Sequence, residues 1–303
     1  MALLGMVCMR GVVIEKRFKV LELVGESGQG EVYRGVELET RRDVAVKLQL
    51  PRLFEPSSEY KGNGEDMQVE GQRSVRLAGP GIPEVLWNGP YGHRHCIVME
   101  YLEGPTLAEA LAQCRPVKTP TVAAVVGQLC ETVGRVHDER LVHRDIKPGN
   151  IMIVGERGTV HLLDLGWAAE AGLVPERTGG TGGWMAPEQF DPTAVVSPAL
   201  DIFALGCLIL HMTVMTLPYG ATAGSRPQEG APVLPPDRLA ALPPDLKDLA
   251  LAMVAWAPGD RPVSAKEVSA SLAPLLPAPG SPAPGRALKP DPTAYYRLPG
   301  RSC

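Results

Sequence analysis

The chain has 303 residues, 45% of them hydrophobic and 21% charged, with a formal net charge of -4. That length suits one large domain or two lobes sharing a cleft, and the slightly acidic balance offers no basic field for nucleic acid. Six cysteines (Cys8, Cys96, Cys114, Cys130, Cys207 and Cys303) lack C-x-x-C or C-x-H spacing, which argues against a zinc site and a secreted disulfide framework and favours a reducing, cytoplasmic compartment.

The opening "MALLGMVCMR" is apolar but has no basic lead and no clear cleavage site, so no signal peptide is expected. "RFKVLELVGE", "GEVYRGVEL" and "RDVAVKLQL" are short, β-branched and separated by glycine or charged turns, the pattern of strands. A polar stretch from Pro51 to Gly64 leads into the helix-like "EDMQVEGQRSVRLAG", and "HCIVMEY" returns to strand. After Gly104 the character becomes helical. In "TPTVAAVVGQLCETVGRVHDE", Thr119 is the expected N-cap and Pro120 the first helical residue. Val122, Val125, Val126, Leu129, Val133 and Val136 then form a stripe of helical period.

Ser197-Pro198 opens a second helix in the same way. The apolar run "IFALGCLILHMTVMTL" is short for a membrane span and contains His211, so it is expected to be a buried helix. Ser264 with Glu267 predicts a capping box for the last helix. From Pro277 onward the chain is rich in Pro, Ala and Gly, which predicts a disordered tail able to dock a partner. A small β-rich lobe thus precedes a larger helical one, and there is no internal repeat.

Three stretches carry chemistry. "LVGESGQGEVY" is strand, glycine-rich turn and strand. Gly25, Gly28 and Gly30 would let backbone N–H groups approach phosphate oxygens, although a plain flexible hairpin has the same composition. In "VAVK", alternation puts Val44, Val46 and Leu48 on one face and Ala45 with Lys47 on the other, so Lys47 either serves phosphate or is a surface lysine. "LVHRDIKPGN" crowds Asp145, Lys147 and Asn150 around Pro148. Chance occurrence of its six specified letters is on the order of 10⁻⁵ over the chain.

With these residues in order, followed by "DLG" and "APE", the chain closely resembles the protein kinase family from about Phe18 to Leu276. The resemblance implies an α+β bilobal fold. Residues 1–17 would be an N-terminal extension, 18–100 an antiparallel N-lobe with one main helix, 100–104 a hinge, 105–276 a mostly helical C-lobe and 277–303 the tail. It also implies that Asp145 accepts the proton of the attacking hydroxyl and that Lys147 contacts the γ-phosphate. Asn150 and Asp164 would hold Mg2+ or Mn2+, and the convergence of all these groups on one phosphoryl group explains the crowding. A single ATP would lie in the gap between the lobes, with Lys47 on its phosphates.

The family's helix glutamate falls twelve residues before Ile82, which selects Glu70 over Glu65. Ser74, four residues on, stands where an apolar residue is usual and would weaken that helix if its hydroxyl were unpaired, unless Val75 fills the space instead. Ser27 and Gly28 also depart from the G-x-G-x-x-G pattern, and Gly79 replaces the family's His. For adenine, the resemblance implies Met99 at the back of the pocket, the backbone of Glu100 and Leu102 at the base edge, and Val32, Ala45 and Met152 around the ring. "IKPGN" and "GTGGWMAPE" resemble the Ser/Thr branch, in its bacterial eukaryotic-like form. There Thr181 bonds the catalytic Asp and Lys, Glu188 pairs with Arg261, and Asp201 anchors the catalytic loop. Arg144 would receive a phosphate on Thr178, the expected site of autophosphorylation, with Thr181 a second. The expected partner is a protein substrate. A pseudokinase would normally show damage at Lys47, Asp145, Asn150 or Asp164, and none is damaged. An aminoglycoside- or choline-type kinase would lack "APE".

Overall fold

The computed structural model describes residues 9–26, 30–50, 62–176, 179–219, 227–230 and 232–299, with the side chains of 62–66 outside the description. The chain divides into two compact units, Met1–Gly79 with Pro83–Leu102, and Pro80–Ile82 with Glu103–Cys303.

The first unit is an antiparallel sheet with one helix. Its elements are β1 (Val13–Ile14), β2 (Phe18–Glu26), β3 (Gly30–Glu37), β4 (Asp43–Gln49), α1 (Gly62–Arg76), β5 (Val85–Tyr91) and β6 (Arg94–Glu100). The six strands run in the order β1-β2-β3-β4-β6-β5. In β4 the valine alternation works as expected: Val44, Val46 and Leu48 are fully buried against Phe18, Val20, Cys96 and Val98. Ala45 and Lys47 take the opposite face, as period-two geometry requires. Residues ahead of Phe18 belong to the sheet too. Val13 pairs with Lys19 in register, and Met9 and Ile14 are buried in the same core.

The second unit is mostly helical. It contains α2 (Leu107–Gln113), α3 (Thr119–Asp138), β7 (Leu141–Val142), β8 (Ile151–Val154), β9 (Thr159–Leu162), β10 (Ala169–Glu170), α4 (Ala199–Thr213), α5 (Pro236–Ala240), α6 (Pro244–Met253), α7 (Ala265–Leu272) and α8 (Ala294–Arg297). The valine stripe of α3 and nearly every residue of α4 are buried in one core. A helix apolar on all faces is stable when buried, here in this core. Among the described residues, no helix is long and apolar enough to cross a membrane.

Helix starts differ from expectation by one residue. Lys118, not Thr119, is the N-cap of α3, because the amides of Thr121 and Val122 both donate to the Lys118 carbonyl. Pro120 then costs nothing in the first turn, where its missing N–H has no partner to lose. Likewise Pro198 rather than Ser197 caps α4. At α7 the Ser264 hydroxyl accepts from the Glu267 amide at 3.2 Å, while the Glu267 carboxylate returns to the Val263 amide at 2.8 Å. The reciprocal half of the box is therefore displaced by one residue.

The expectation of disorder beyond Pro277 fails for residues 277–299, which pack against the second unit. Leu288 is 1% exposed and joins the main core, Thr293 is fully buried, and α8 forms beyond them. Average composition hid these anchors: a few large side chains at spaced positions suffice to dock a Pro-rich segment whose backbone has little entropy to lose.

Candidate functional site

In the first unit, β4 presents Lys47 and α1 presents Glu70. The Lys47 ammonium lies 2.6 Å from a Glu70 carboxylate oxygen, and both side chains are buried. The Ser74 hydroxyl donates to the Glu70 carbonyl at 2.9 Å, so it is paired within its own helix and carries no desolvation penalty. Val75 does not fill the space, being 52% exposed. Glu65, the rejected alternative, has its side chain outside the described residues.

The glycine-rich turn is only partly described: Gly28, with Ser27 and Gln29, lies outside. Gly25 ends β2 in register with Val32. At Gly30 a Cβ would stand 2.7 Å from the Leu48 carbonyl oxygen, so the neighbouring strand alone already demands glycine there. Val32 pairs with Lys47 and Ala45 with Met99. Glu100 ends β6, and its amide donates to the Glu84 carbonyl at 2.9 Å. Leu102 closes the unit.

The second unit assembles the loop after β7. Asp201, on the first turn of α4, accepts the backbone amides of His143 and Arg144 at 2.8 Å each and the His137 ring at 2.8 Å. Burial would push this carboxyl up. The His137 hydrogen bond and charge, the charge of His143 and the Arg144 amide outweigh it and hold the group below the usual carboxylate range. Arg144 adopts φ 69° and Asp164 φ 63°, a left-handed conformation that costs a side-chain-bearing residue energy and persists only where neighbours fix it. At Asp164 the carboxylate accepts the Gly166 amide at 3.1 Å.

Pro148–Asn150 form one 3₁₀ turn, with the Asn150 amide donating to the Lys147 carbonyl. This turn gathers the side chains. Asp145 Oδ2 accepts from Lys147 Nζ at 2.8 Å and from Asn150 Nδ2 at 2.9 Å, and Asp145 Oδ1 accepts from the Thr181 hydroxyl at 2.7 Å. Lys147 also reaches the Thr181 oxygen at 2.5 Å. Asn150 Nδ2 also donates to the Asp145 carbonyl, which commits the amide nitrogen and turns Oδ1 away from Asp145. Asn150 and Asp164 flank the β8–β9 hairpin, joined by the Leu163 amide donating to the Asn150 carbonyl at 2.8 Å. Met152 sits within β8, opposite His161 and bridged to Thr106.

Two polar residues were missed. Gln189 bridges the Arg144 and Gly179 carbonyls through Nε2, at 3.0 and 3.2 Å, and accepts the Ala186 amide. The signal was an amide directly after the "APE" glutamate. His137, the other, was legible only as the penultimate residue of α3. The Arg144 guanidinium donates to the Trp167 carbonyl at 3.3 Å, and the Trp167 ring so crowds Gly179 that a Cβ there would lie 1.8 Å from it. Farther on, Arg261 grips Glu188 with two bonds of 2.6 and 2.9 Å. Thr178 lies outside the described residues.

The donor set suits a hard divalent cation, which prefers carboxylate and amide oxygens completed by phosphate oxygens. Comparison with known proteins gives the same direction. The family model for the protein kinase domain matches residues 18–271. The chain is 30% identical over 274 residues to serine/threonine-protein kinase PknB of Mycolicibacterium smegmatis, covering 86% of this chain and 43% of that protein. It is 30% identical over 213 residues to serine/threonine-protein kinase PknD of Mycobacterium tuberculosis, covering 69% of this chain and 31% of the relative. Serine/threonine-protein kinase pkn2 of Myxococcus xanthus is 30% identical over 217 residues, 69% of this chain and 25% of its own length. The chain thus spans less than half the length of these curated relatives.

Proposed function

This chain belongs to the protein kinase family, and we propose that it transfers the γ-phosphoryl group of ATP to serine or threonine hydroxyls of protein substrates. The observation that carries the proposal is the shared hydrogen bonding of Asp145, Lys147, Asn150 and Thr181. A carboxylate held this way can receive a proton from an attacking hydroxyl, with an ammonium beside it to meet the developing phosphoryl charge.

In this reading Asp145 orients the substrate hydroxyl and takes its proton. The Thr181 hydroxyl donating to Asp145 at 2.7 Å supports this reading. Lys147 neutralises the transferring phosphoryl oxygens, and Lys47, held by Glu70, meets the α- and β-phosphates. Asn150 Oδ1 and the Asp164 carboxylate would hold Mg2+ or Mn2+, which would supply electrostatic stabilisation of the phosphates. Gly25 and Gly30 would let backbone amides approach the phosphates. The Glu100 amide is committed to the sheet, so in this reading the Glu100 carbonyl and the Leu102 amide would be the backbone groups for adenine, with Val32 and Ala45 as ring contacts and Met99 behind them.

Asp201 supports the catalytic loop from below, and the Arg261–Glu188 pair supports the segment that receives the peptide. Thr178 is the site of autophosphorylation, with Arg144 as its electrostatic partner and Thr181 as a second acceptor. Phosphopeptide mapping of active protein checks this, and finding both threonines unmodified rejects it. Four free, buried cysteines (Cys96, Cys114, Cys130 and Cys207) support a reducing cytoplasmic location. The decisive experiment is magnesium-dependent transfer of radiolabelled phosphate to a generic basic protein. Asp145→Asn should slow it by about 10²–10⁴, and a variant as active as wild type would sink the proposal.

A further inference from the structure

Residues 277–299 lie beyond the matched family domain, and several of their contacts converge on one turn. Gln128, buried on α3, donates through Nε2 to the Gly158 carbonyl at 3.2 Å and to the Pro292 carbonyl at 3.3 Å. Its Oε1 accepts the Val160 amide at 2.9 Å. One side chain therefore joins the tail, the turn between β8 and β9, and β9 itself. The tail also meets that turn directly. Gly158 approaches so closely that a Cβ there would stand 2.1 Å from the Asp291 carbonyl oxygen. Arg157 donates to the Pro299 carbonyl at 3.0 Å, and the Tyr295 hydroxyl reaches Glu131 on α3 at 3.0 Å.

The tail is internally braced as well. Asp291 accepts the Thr293 amide and hydroxyl and the Arg297 guanidinium at 2.7 to 3.0 Å. This is the fixed geometry of a docked element. The hairpin it holds is short, four residues to a strand, and a two-stranded hairpin of that size is marginal without outside support. Yet Asn150 immediately precedes β8, and Asp164 follows β9 by two residues.

We propose that residues 277–299 form a positioning strap for the β8–β9 hairpin, acting through Gln128 and the Gly158 turn to fix the spacing of Asn150 and Asp164. The strap acts on them through the hairpin. It sets how often the hairpin is in register to present both oxygens to one cation. The part concerning the cation rests on the kinase reading, and the part concerning the hairpin does not.

Two alanine substitutions in the same turn test this in the full chain. Gly155 and Gly158 have φ of +67° and +60°, so alanine carries a similar left-handed strain at each. A Cβ at Gly155 meets nothing within 4 Å, whereas one at Gly158 strikes the strap backbone. Amide hydrogen exchange on metal-free protein is the first readout. Exchange across 151–163 should be about tenfold faster in Gly158→Ala than in Gly155→Ala. In transfer assays, the magnesium concentration for half-maximal rate should rise about tenfold in Gly158→Ala, while the rate at saturating magnesium matches that of Gly155→Ala.

Equal hairpin exchange in the two variants overturns the proposal. So does a fall in the saturating rate with no change in magnesium demand. If Gly158→Ala does not fold, the double variant Arg157→Ala/Tyr295→Phe replaces it, with the same direction expected and wild type as the reference. Absence of any transfer by wild type would count against the kinase reading alone, leaving the exchange comparison to decide the strap.

Discussion

Lys47 and Glu70 face each other at 2.6 Å with side chains only 6% and 5% exposed. Removing two charges from water costs several kcal/mol per ion, and close attraction in the interior offsets that cost only while both partners remain. Glu70→Ala should therefore lower stability by about 3 kcal/mol, and Lys47→Met by a comparable amount. The double variant Lys47→Met/Glu70→Leu should recover most of that loss in urea unfolding, because an apolar pair has no charge to desolvate. It should recover no phosphate transfer. Stability and transfer rising together would contradict a phosphate-binding role for this pair.

Thr181 is the next point of leverage. Its hydroxyl bonds both Asp145 and Lys147, and a hydrogen bond to a charged group contributes about 1.5–3 kcal/mol. Thr181→Ala should lower kcat by about ten- to a hundredfold, and Thr181→Ser, which keeps the oxygen, should restore most of it. Asp145→Asn should cost about 10²–10⁴ in kcat, the scale of general-base catalysis. Steady-state rates at saturating ATP measure all three. A Thr181→Ser variant as slow as Thr181→Ala would mean that the methyl group, not the hydroxyl, matters.

Local patterns carried much of this architecture. Alternation in "VAVK" placed Lys47 opposite the sheet core because side chains on a strand can only alternate. Spacing to Ile82 selected Glu70, the carboxylate now found at Lys47. The apolar run around His211 had one sensible home. The failures share a different origin. The caps at Lys118 and Pro198 depend on which carbonyl the first free amides find, a choice of one residue that composition cannot make. Gln189 and Gln128 each bridge segments far apart in sequence, and an amide has no periodicity to betray it. The tail was misjudged because its few anchors, Leu288 and Tyr296 among them, were averaged away among prolines and glycines.

Asp201 gives a pH dependence with a definite sign. Its folded pKa lies below the ordinary 3.8, so its contribution to stability is fully present above the unfolded value and is lost as pH falls through the folded one. Asp201→Asn replaces an acceptor of three donors by a group with one acceptor oxygen. At neutral pH it should be about 3 kcal/mol less stable than wild type. The gap should narrow as pH drops below about 4, where the Asp201 carboxylate of unfolded wild type begins to take up a proton that the folded carboxylate still resists. Urea unfolding at pH 7, 4 and 3 measures this, and a gap that widens with acid would reverse the assignment.

Arg261 separates charge from geometry. Its side chain is fully buried. Besides Glu188 it donates to the Ala199, Ala255 and Trp256 carbonyls at 2.8 to 3.0 Å, and it lies 5.0 Å from the centre of the Phe203 ring. A lysine keeps the charge but has three donors on one atom and no planar fork, so it cannot serve carbonyls and a bidentate carboxylate together. Arg261→Lys should therefore destabilise by about 3 kcal/mol or more, close to the loss in Arg261→Ala. Glu188→Gln should lose only about 1–2 kcal/mol, since the guanidinium keeps its three carbonyl partners and the carboxylate side is partly solvated. Thermal unfolding of the three variants sets the order, and an Arg261→Lys variant as stable as wild type would show that charge alone holds Glu188.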